Sequence, residues 1–339
     1  VEETLKKRKG INRLLFLVIC ILGVLGAMAF PPIRPHIALQ AEPVIKDLGT
    51  FLGQPFEITN TLIALFLGNL FLILMAFLIR RQIKSGEKAL KGISGIVSLV
   101  IEAIYNLTKG TAGKWTSFIF PFFATITLLV LTQNLMELLP GVDSIGVFHE
   151  KYVHGDECVV QPLFHIGDLE VVNVGGADEC SHSIFPFVRV ASTDLNFTMG
   201  LAIVAVIMIQ VAGLRAQGLA YLYKYFDPRP LIKSWRKPQF GGPLDMIGGL
   251  VYAIVGPLEI IAEFSKIISF TFRLFGAVFA GMVMLFVIGK LVPVFAQTIV
   301  LFLELLIGAV QALVFGMLTM VFMSMATKGH GDHGEEGAH

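Results

Sequence analysis

The sequence predicts an all-α membrane protein, and three observations lead there. Hydrophobic residues make up 55% of the 339 and charged residues only 15%, where a soluble domain carries nearer a quarter charged. Mean hydropathy is +0.76, and several apolar runs reach the length of about 20 residues that a bilayer-spanning helix needs. Lys and Arg gather in a few short loops, the pattern that orients membrane helices. The predicted architecture has five core helices. One is an interfacial amphipathic helix and two form a long slanted C-terminal hairpin. An N-terminal hydrophobic helix or signal segment precedes them.

Three segments follow from this pattern. Residues 1–50 hold a hydrophobic run and a linker, 51–328 the membrane domain with an outer polar insert at about 141–190, and 329–339 a His-rich tail. The N-terminal run, LLFLVICILGVLGAMAF after KKRKGINR, sits at the length boundary between a first transmembrane helix and a signal segment. Both readings stand. A net charge of +1 names no partner class, and the basic clusters read as membrane anchors, with no nucleic-acid patch.

The first core span is Thr61 to Ile79, and Arg80, Arg81, Lys84, Lys88 and Lys91 behind it place that end in the cytoplasm. From Glu87 to Gly110, Leu90, Ile93, Val97, Val100, Ile101, Ile104 and Leu107 recur at helical spacing with polar residues between them. That is an amphipathic helix lying on the membrane surface. Phe118 to Leu139 runs outward, and Phe197 to Leu214 returns to a basic loop that agrees with the first assignment. The last two helices are long. Met246 to Gly289 would measure about 65 Å and Pro293 to Thr327 about 50 Å, against a hydrocarbon core of about 30 Å. They must slant, bend or lie partly in the plane. Pro257 offers a bend, and Gly289 with Pro293 marks the turn between them.

Arg273 lies in the middle of the first long helix. A guanidinium is charged at any relevant pH, and at mid-bilayer it costs roughly 3 kcal/mol even on the mildest scale. It points to an ion pathway. Glu259, Lys266 and Arg273 are spaced by seven and share a helix face, with Glu263 and Ser269 within a turn of it. An aqueous half-channel explains the set. So does a salt bridge between Lys266 and Glu259 or Glu263. On the last helix Glu304 and Gln311 repeat the spacing of seven. Glu304 is the only carboxylate between Glu263 and Asp332. Gln311 can bond a guanidinium without adding charge, or can be a plain helix-to-helix hydrogen bond. Asn134 and Glu137 close one span, and Asp194 and Asn196 open the next. They line a polar mouth, or Asp194 simply caps its helix.

No metal or cofactor is expected. Cys158 and Cys180, 22 residues apart in the insert, form no CxxC pattern. An oxidising exterior would let them pair as a disulfide. No common zinc spacing joins them to His154, His165 or His182. The glycine-rich tail with His330, His333 and His339 reads as a solvated terminus.

Four ordered segments carry a family resemblance: NLMELLP from Asn134, TDLNFTMGLA from Thr193, RLFGAVFAG from Arg273 and VQALVFGMLTMVFMSMA from Val310. Together they resemble the a subunit of F-type ATP synthases, over roughly residues 50 to 328. The resemblance implies a proton-translocating stator subunit with two half-channels that load and unload carboxylates of a c-subunit ring. It implies peripheral-stalk b subunits and membrane lipid as further partners, and a bacterial plasma membrane with the C-terminus cytoplasmic. Arg273 matches the family's essential arginine, Gln311 the glutamine near it, and Glu304 a channel-lining position. Glu259, Lys266 and Ser269 match the cytoplasmic exit, and Asn134, Glu137, Asp194 and Asn196 the outer side. Ala277 and Met282 depart from the family pattern, so the outer path would rest on Glu304 alone or with help from water or the insert. The chain has no phosphate-binding loop and no ATP site is expected in it. An ion-coupled secondary transporter or independent channel is the competing class, and it predicts internal inverted repeats. The two halves show none.

Overall fold

A computed structural model describes residues 41, 43–45, 50–51, 54–55, 57–84, 93–139, 142, 146–149, 162–166, 169–172, 183–225, 243–291 and 295–328, together with Val18 and Ile21. The expected Cys158–Cys180 pairing, the N-terminal apolar run apart from those two residues, and the tail lie outside the described residues. Among the described residues six helices have both ends defined: α1 (Asn60–Lys84), α2 (Ile93–Ala112), α3 (Thr116–Met136), α4 (Leu195–Gln217), α5 (Pro243–Leu291) and α6 (Phe295–Thr327). Among the described residues five helical stretches are long and apolar enough to cross a membrane: Asn60–Lys84, Ser94–Met136, Leu195–Leu222, Leu258–Ile288 and Ala296–Thr327. The chain is a multi-pass membrane protein.

One expectation needs correction. The turn between the long helices does not start at Gly289, because α5 continues to Leu291 and α6 begins at Phe295. A single missing side chain does not end a helix whose neighbours are Ile288 and Leu291, and Pro293 alone is the stop. Helix α5 also runs unbroken through Pro257 for 49 residues, about 74 Å. The buried face of α2 carries Ile104, Thr108 and Ala112, while Leu107 is exposed. Steps of four select that face. A 3-10 turn at Gly113–Trp115 joins α2 to α3, and Gly113 adopts φ 51° there, a left-handed conformation that glycine takes at little cost.

The chain forms two compact units. One holds residues 1–68, 133–194 and 276–309. It contains the strands, all in antiparallel pairs. β1 (Pro43–Ile45) pairs with β4 (Ile58–Thr59), and β2 (Thr50–Phe51) with β3 (Gln54–Pro55). In the insert β5 (Gly146–His149) pairs with β8 (Ser183–Pro186), and β6 (Pro162–Ile166) with β7 (Leu169–Val172). The insert is thus closed by a strand pair, Gly146 opposite Pro186. Period-two patterning was too short there to reveal strands of four or five residues. Gln133 Nε2 donates to Ala64 O at 3.4 Å, and the amide fills the space that a side chain at Gly68 would need.

The other unit holds residues 69–132, 195–275 and 310–339. Ser94 Oγ donates to Gln82 Oε1 at 2.7 Å, tying α2 to the end of α1. Phe270 of α5 packs on Phe315 and Phe322 of α6, with centroids 5.2 and 5.9 Å apart. Gly316 lets α6 press on Thr127 and Phe123 of α3. Arg215 lies over the Phe118 ring at 4.7 Å, and Gln217 Nε2 donates to Ala326 O and Lys328 O at the end of α6.

Candidate functional site

Two polar clusters break the apolar packing, one in each unit. In the first, Glu304 of α6 is 5% exposed. Its carboxyl lies against Gly281 of α5, where a Cβ would collide with Oε1. The closing Gly of RLFGAVFAG therefore makes the room that Glu304 occupies. Glu137, just past α3, neighbours the same carboxyl and is itself buried. Neither Glu304 oxygen meets a fixed N–H or O–H donor. Asn134, one helical turn before Glu137, donates from Nδ2 to Gly308 O at 2.9 Å. It faces α6 one turn beyond Glu304.

Asp194 sits in extended conformation directly ahead of α4. Its Oδ2 accepts from Thr61 Oγ1 at 3.1 Å, so it ties the start of α1 to the start of α4. Beside it Arg189 is 4% exposed and donates from Nε to Thr193 Oγ1 at 3.1 Å and from Nη2 to Thr193 O at 3.3 Å. Asn60 Nδ2 donates to Pro186 O at 3.3 Å. This second buried arginine was not singled out from the sequence. The signal was there, a lone charge within the run FPFVRVA. Asn196, in the first turn of α4, is exposed.

The second cluster surrounds Arg273, which is half-buried on α5. Its guanidinium donates from Nη2 to Ser269 Oγ at 3.3 Å, and among the described residues no carboxylate pairs with it. Phe270 facing Phe315 sets the pairing of α5 with α6. Four residues on along each helix, Gln311 comes level with Leu274, next to Arg273. Gln311 Oε1 is buried with no donor. No direct bond joins it to the guanidinium.

Lys266 Nζ donates to Glu263 Oε1 at 2.8 Å and lies 5.0 Å from the Phe322 ring. Of the two salt bridges the spacing allowed, the one with Glu263 is formed. Glu259 is half-buried. Glu263, at 9% exposure, is the more buried acid. Tyr225, also not singled out from the sequence, donates to Gln210 Oε1 at 2.8 Å. Burial first, then its neighbours Tyr221 and Glu263, raise the Tyr225 phenol well above its usual range, so it stays a neutral donor.

Two buried carboxyls close together, and a guanidinium that no carboxylate among the described residues pairs with, are costly inside apolar helices and point to an ion pathway. Comparison with known proteins agrees. The family model of the ATP synthase A chain matches residues 61–324. ATP synthase subunit a of Mycobacterium bovis is 24% identical over 254 residues, covering 74% of this chain and 77% of that protein. The corresponding subunit of Campylobacter jejuni subsp. doylei is 24% identical over 69% of this chain and 76% of its own length. A subunit a described as sodium ion specific, from Propionigenium modestum, is 27% identical over 68% of this chain and 60% of its own.

Proposed function

The chain belongs to the ATP synthase A chain family and is an ion-translocating subunit of that enzyme's membrane sector; on that premise we propose that it carries protons to and from a ring of c subunits through two half-channels. The observation that carries the proposal is Arg273. A cation inside a membrane helix, held by one hydroxyl and by no carboxylate among the described residues, supports a role in receiving a counter-charge from a neighbouring chain. A carboxylate on a passing ring subunit supplies it.

In this reading the Glu137–Glu304 pair holds the incoming proton on the outer side, with Asn134, Asp194 and Asn196 on the approach. The proton passes to a ring carboxylate, and the neutral carboxyl can then face lipid, which an anion cannot. After nearly a full turn the ring carboxylate gives its proton up on the inner side near Ser269, Lys266 and Glu259. Arg273 attracts the returning carboxylate into its ionised form and keeps protons from passing directly between the two sides. Gln311, level with it, fixes the guanidinium's surroundings without adding charge. Peripheral-stalk b subunits hold the chain still, in a bacterial plasma membrane with the C-terminus in the cytoplasm. The driving force is about 2.3 kcal/mol per charge per 100 mV.

The test is ATP-driven acidification of inverted membrane vesicles, wild type against Arg273→Ala. Loss of pumping with the complex still assembled is the expected result. Unchanged pumping would remove Arg273 from the mechanism and with it this reading.

A further inference from the structure

Two consecutive carboxamides of α3, Gln133 and Asn134, are anchored in the same way to two different helices. Gln133 Nε2 donates to Ala64 O of α1 at 3.4 Å, and Asn134 Nδ2 donates to Gly308 O of α6 at 2.9 Å. A glycine admits each of them. A Cβ at Gly68 would collide with the Gln133 amide, and a Cβ at Gly308 would stand 3.0 Å from that of Asn134. Both residues are buried, Gln133 completely. Their side-chain oxygens, Gln133 Oε1 and Asn134 Oδ1, are out of solvent and meet no donor.

Each amide is thus held by its N–H end, with its oxygen end fixed in place and unsatisfied. A buried carbonyl oxygen left in that condition costs its desolvation, and an apolar side chain of the same shape avoids the cost. Packing alone would be better served by Met at position 133. The placement of the two oxygens suggests what they serve. Gln133 and Asn134 come four and three residues before Glu137, so both stand within about one helical turn of it. Along α1, Ala64 is one turn from Asn60 and Thr61, and Thr61 Oγ1 donates to Asp194 Oδ2 at 3.1 Å. The Gln133 amide is therefore one turn from each of two buried polar places in its unit, Glu137 on α3 and the Thr61–Asp194 link at the start of α1.

We propose that Gln133 is a positioning residue of the outer half-channel, its side-chain oxygen, together with that of Asn134, seating water one turn from Glu137. The inference rests on the functional reading above, which uses Asn134 and Glu137 and gives Gln133 no part. Water brings the O–H donors that the two oxygens need and keeps its own oxygen open to a further proton. A proton reaching this water forms an O–H bond there. Another O–H bond of the same molecule breaks as its proton passes to the Glu137 carboxylate, and the water is restored. Gln133 acts only through the water that it holds.

The experiment is passive proton flux through membranes carrying the complex with its catalytic head removed, followed with a pH-sensitive dye and normalised to the ring and stalk subunits that co-purify. Thermal unfolding of the same complexes is measured beside it. Gln133→Met keeps the shape and removes the oxygen. It is expected to lower flux several-fold while the unfolding midpoint stays level or rises, opposite movements that a packing role would not produce. Gln133→Glu keeps an acceptor oxygen and should retain more flux than Gln133→Met. In a Glu137→Gln background, Gln133→Met should cost little more. Gly68→Ala displaces the amide from the α1 side and should also lower flux. Wild-type flux in Gln133→Met would overturn the proposal, as would a loss of flux matched by a lower midpoint and less assembled complex. Should Gln133→Met not assemble, wild-type flux in Gly68→Ala overturns it instead. If Arg273→Ala abolishes pumping while Gln133→Met conducts normally, only this inference fails. If both leave transport intact, the functional reading fails first.

Discussion

Glu304 occupies the space that a side chain at position 281 would need. The two residues lie on different helices, and the glycine of one sets the position of the acid on the other. Gly281→Ala is therefore expected to push the carboxyl away from Glu137 and to reduce ATP-driven acidification several-fold. Overpacking of this kind costs about 1–3 kcal/mol, so the complex should still assemble. Pairing it with Glu304→Asp, one methylene shorter, should restore part of the activity. A Gly281→Ala variant that pumps normally would show that the carboxyl does not need its observed position.

Glu137 and Glu304 should behave as one site. If both act in one step, as proposed, replacing either by Gln breaks that step, and replacing both should cost no more than the worse single change. Residues acting together show coupling of about 0.5–3 kcal/mol. Vesicle pumping rates of the two single variants and the double variant give the cycle directly, and simple additivity would separate them.

Arg273→Lys keeps the charge but not the planar, permanently protonated fork. Pumping is expected to fall to near the level of Arg273→Ala. Full coupled synthesis by the lysine variant would mean that only a positive charge is needed.

Tyr225 makes the fold sensitive to alkali. A phenol whose folded pKa lies above the unfolded value of about 10 stays neutral in the fold when the unfolded chain ionises. Its contribution to stability is fully present below about pH 10 and is lost as pH rises toward the folded value. Thermal unfolding of the purified complex between pH 9 and 11 should fall less steeply for Tyr225→Phe than for wild type. Equal slopes would place the alkaline loss elsewhere.

Gln217 closes the end of α6 with two hydrogen bonds. Gln217→Ala should fray that last turn at a cost of about 1–2 kcal/mol. Faster amide exchange over residues 324–328 alone is the expected signature.

The sequence made the helices legible because apolar runs of this length have few other uses, and Arg273 and Glu304 stood out because charge in such runs is expensive. Pairwise geometry was hidden. Nothing in the spacing of seven says that Lys266 chooses Glu263, or that Glu137 reaches Glu304 across more than 160 positions of chain. The Tyr225–Gln210 contact depends on a turn at Gly218, and tyrosine beside a basic loop resembles any interfacial anchor. Arg189 was missed for a different reason: it stands near a polar insert, where a charge looks ordinary.

The 49 uninterrupted residues of α5 also have a mechanical meaning. A backbone joined turn by turn along its whole length behaves as a beam, and a loop at the same place would behave as a hinge. Arg273 is mounted within that beam. Under the proposed function, a charge drawn past the guanidinium would pull on many turns at once, and the deflection at any one of them would be small. The charge keeps its station, and the force goes into whatever is moving past it.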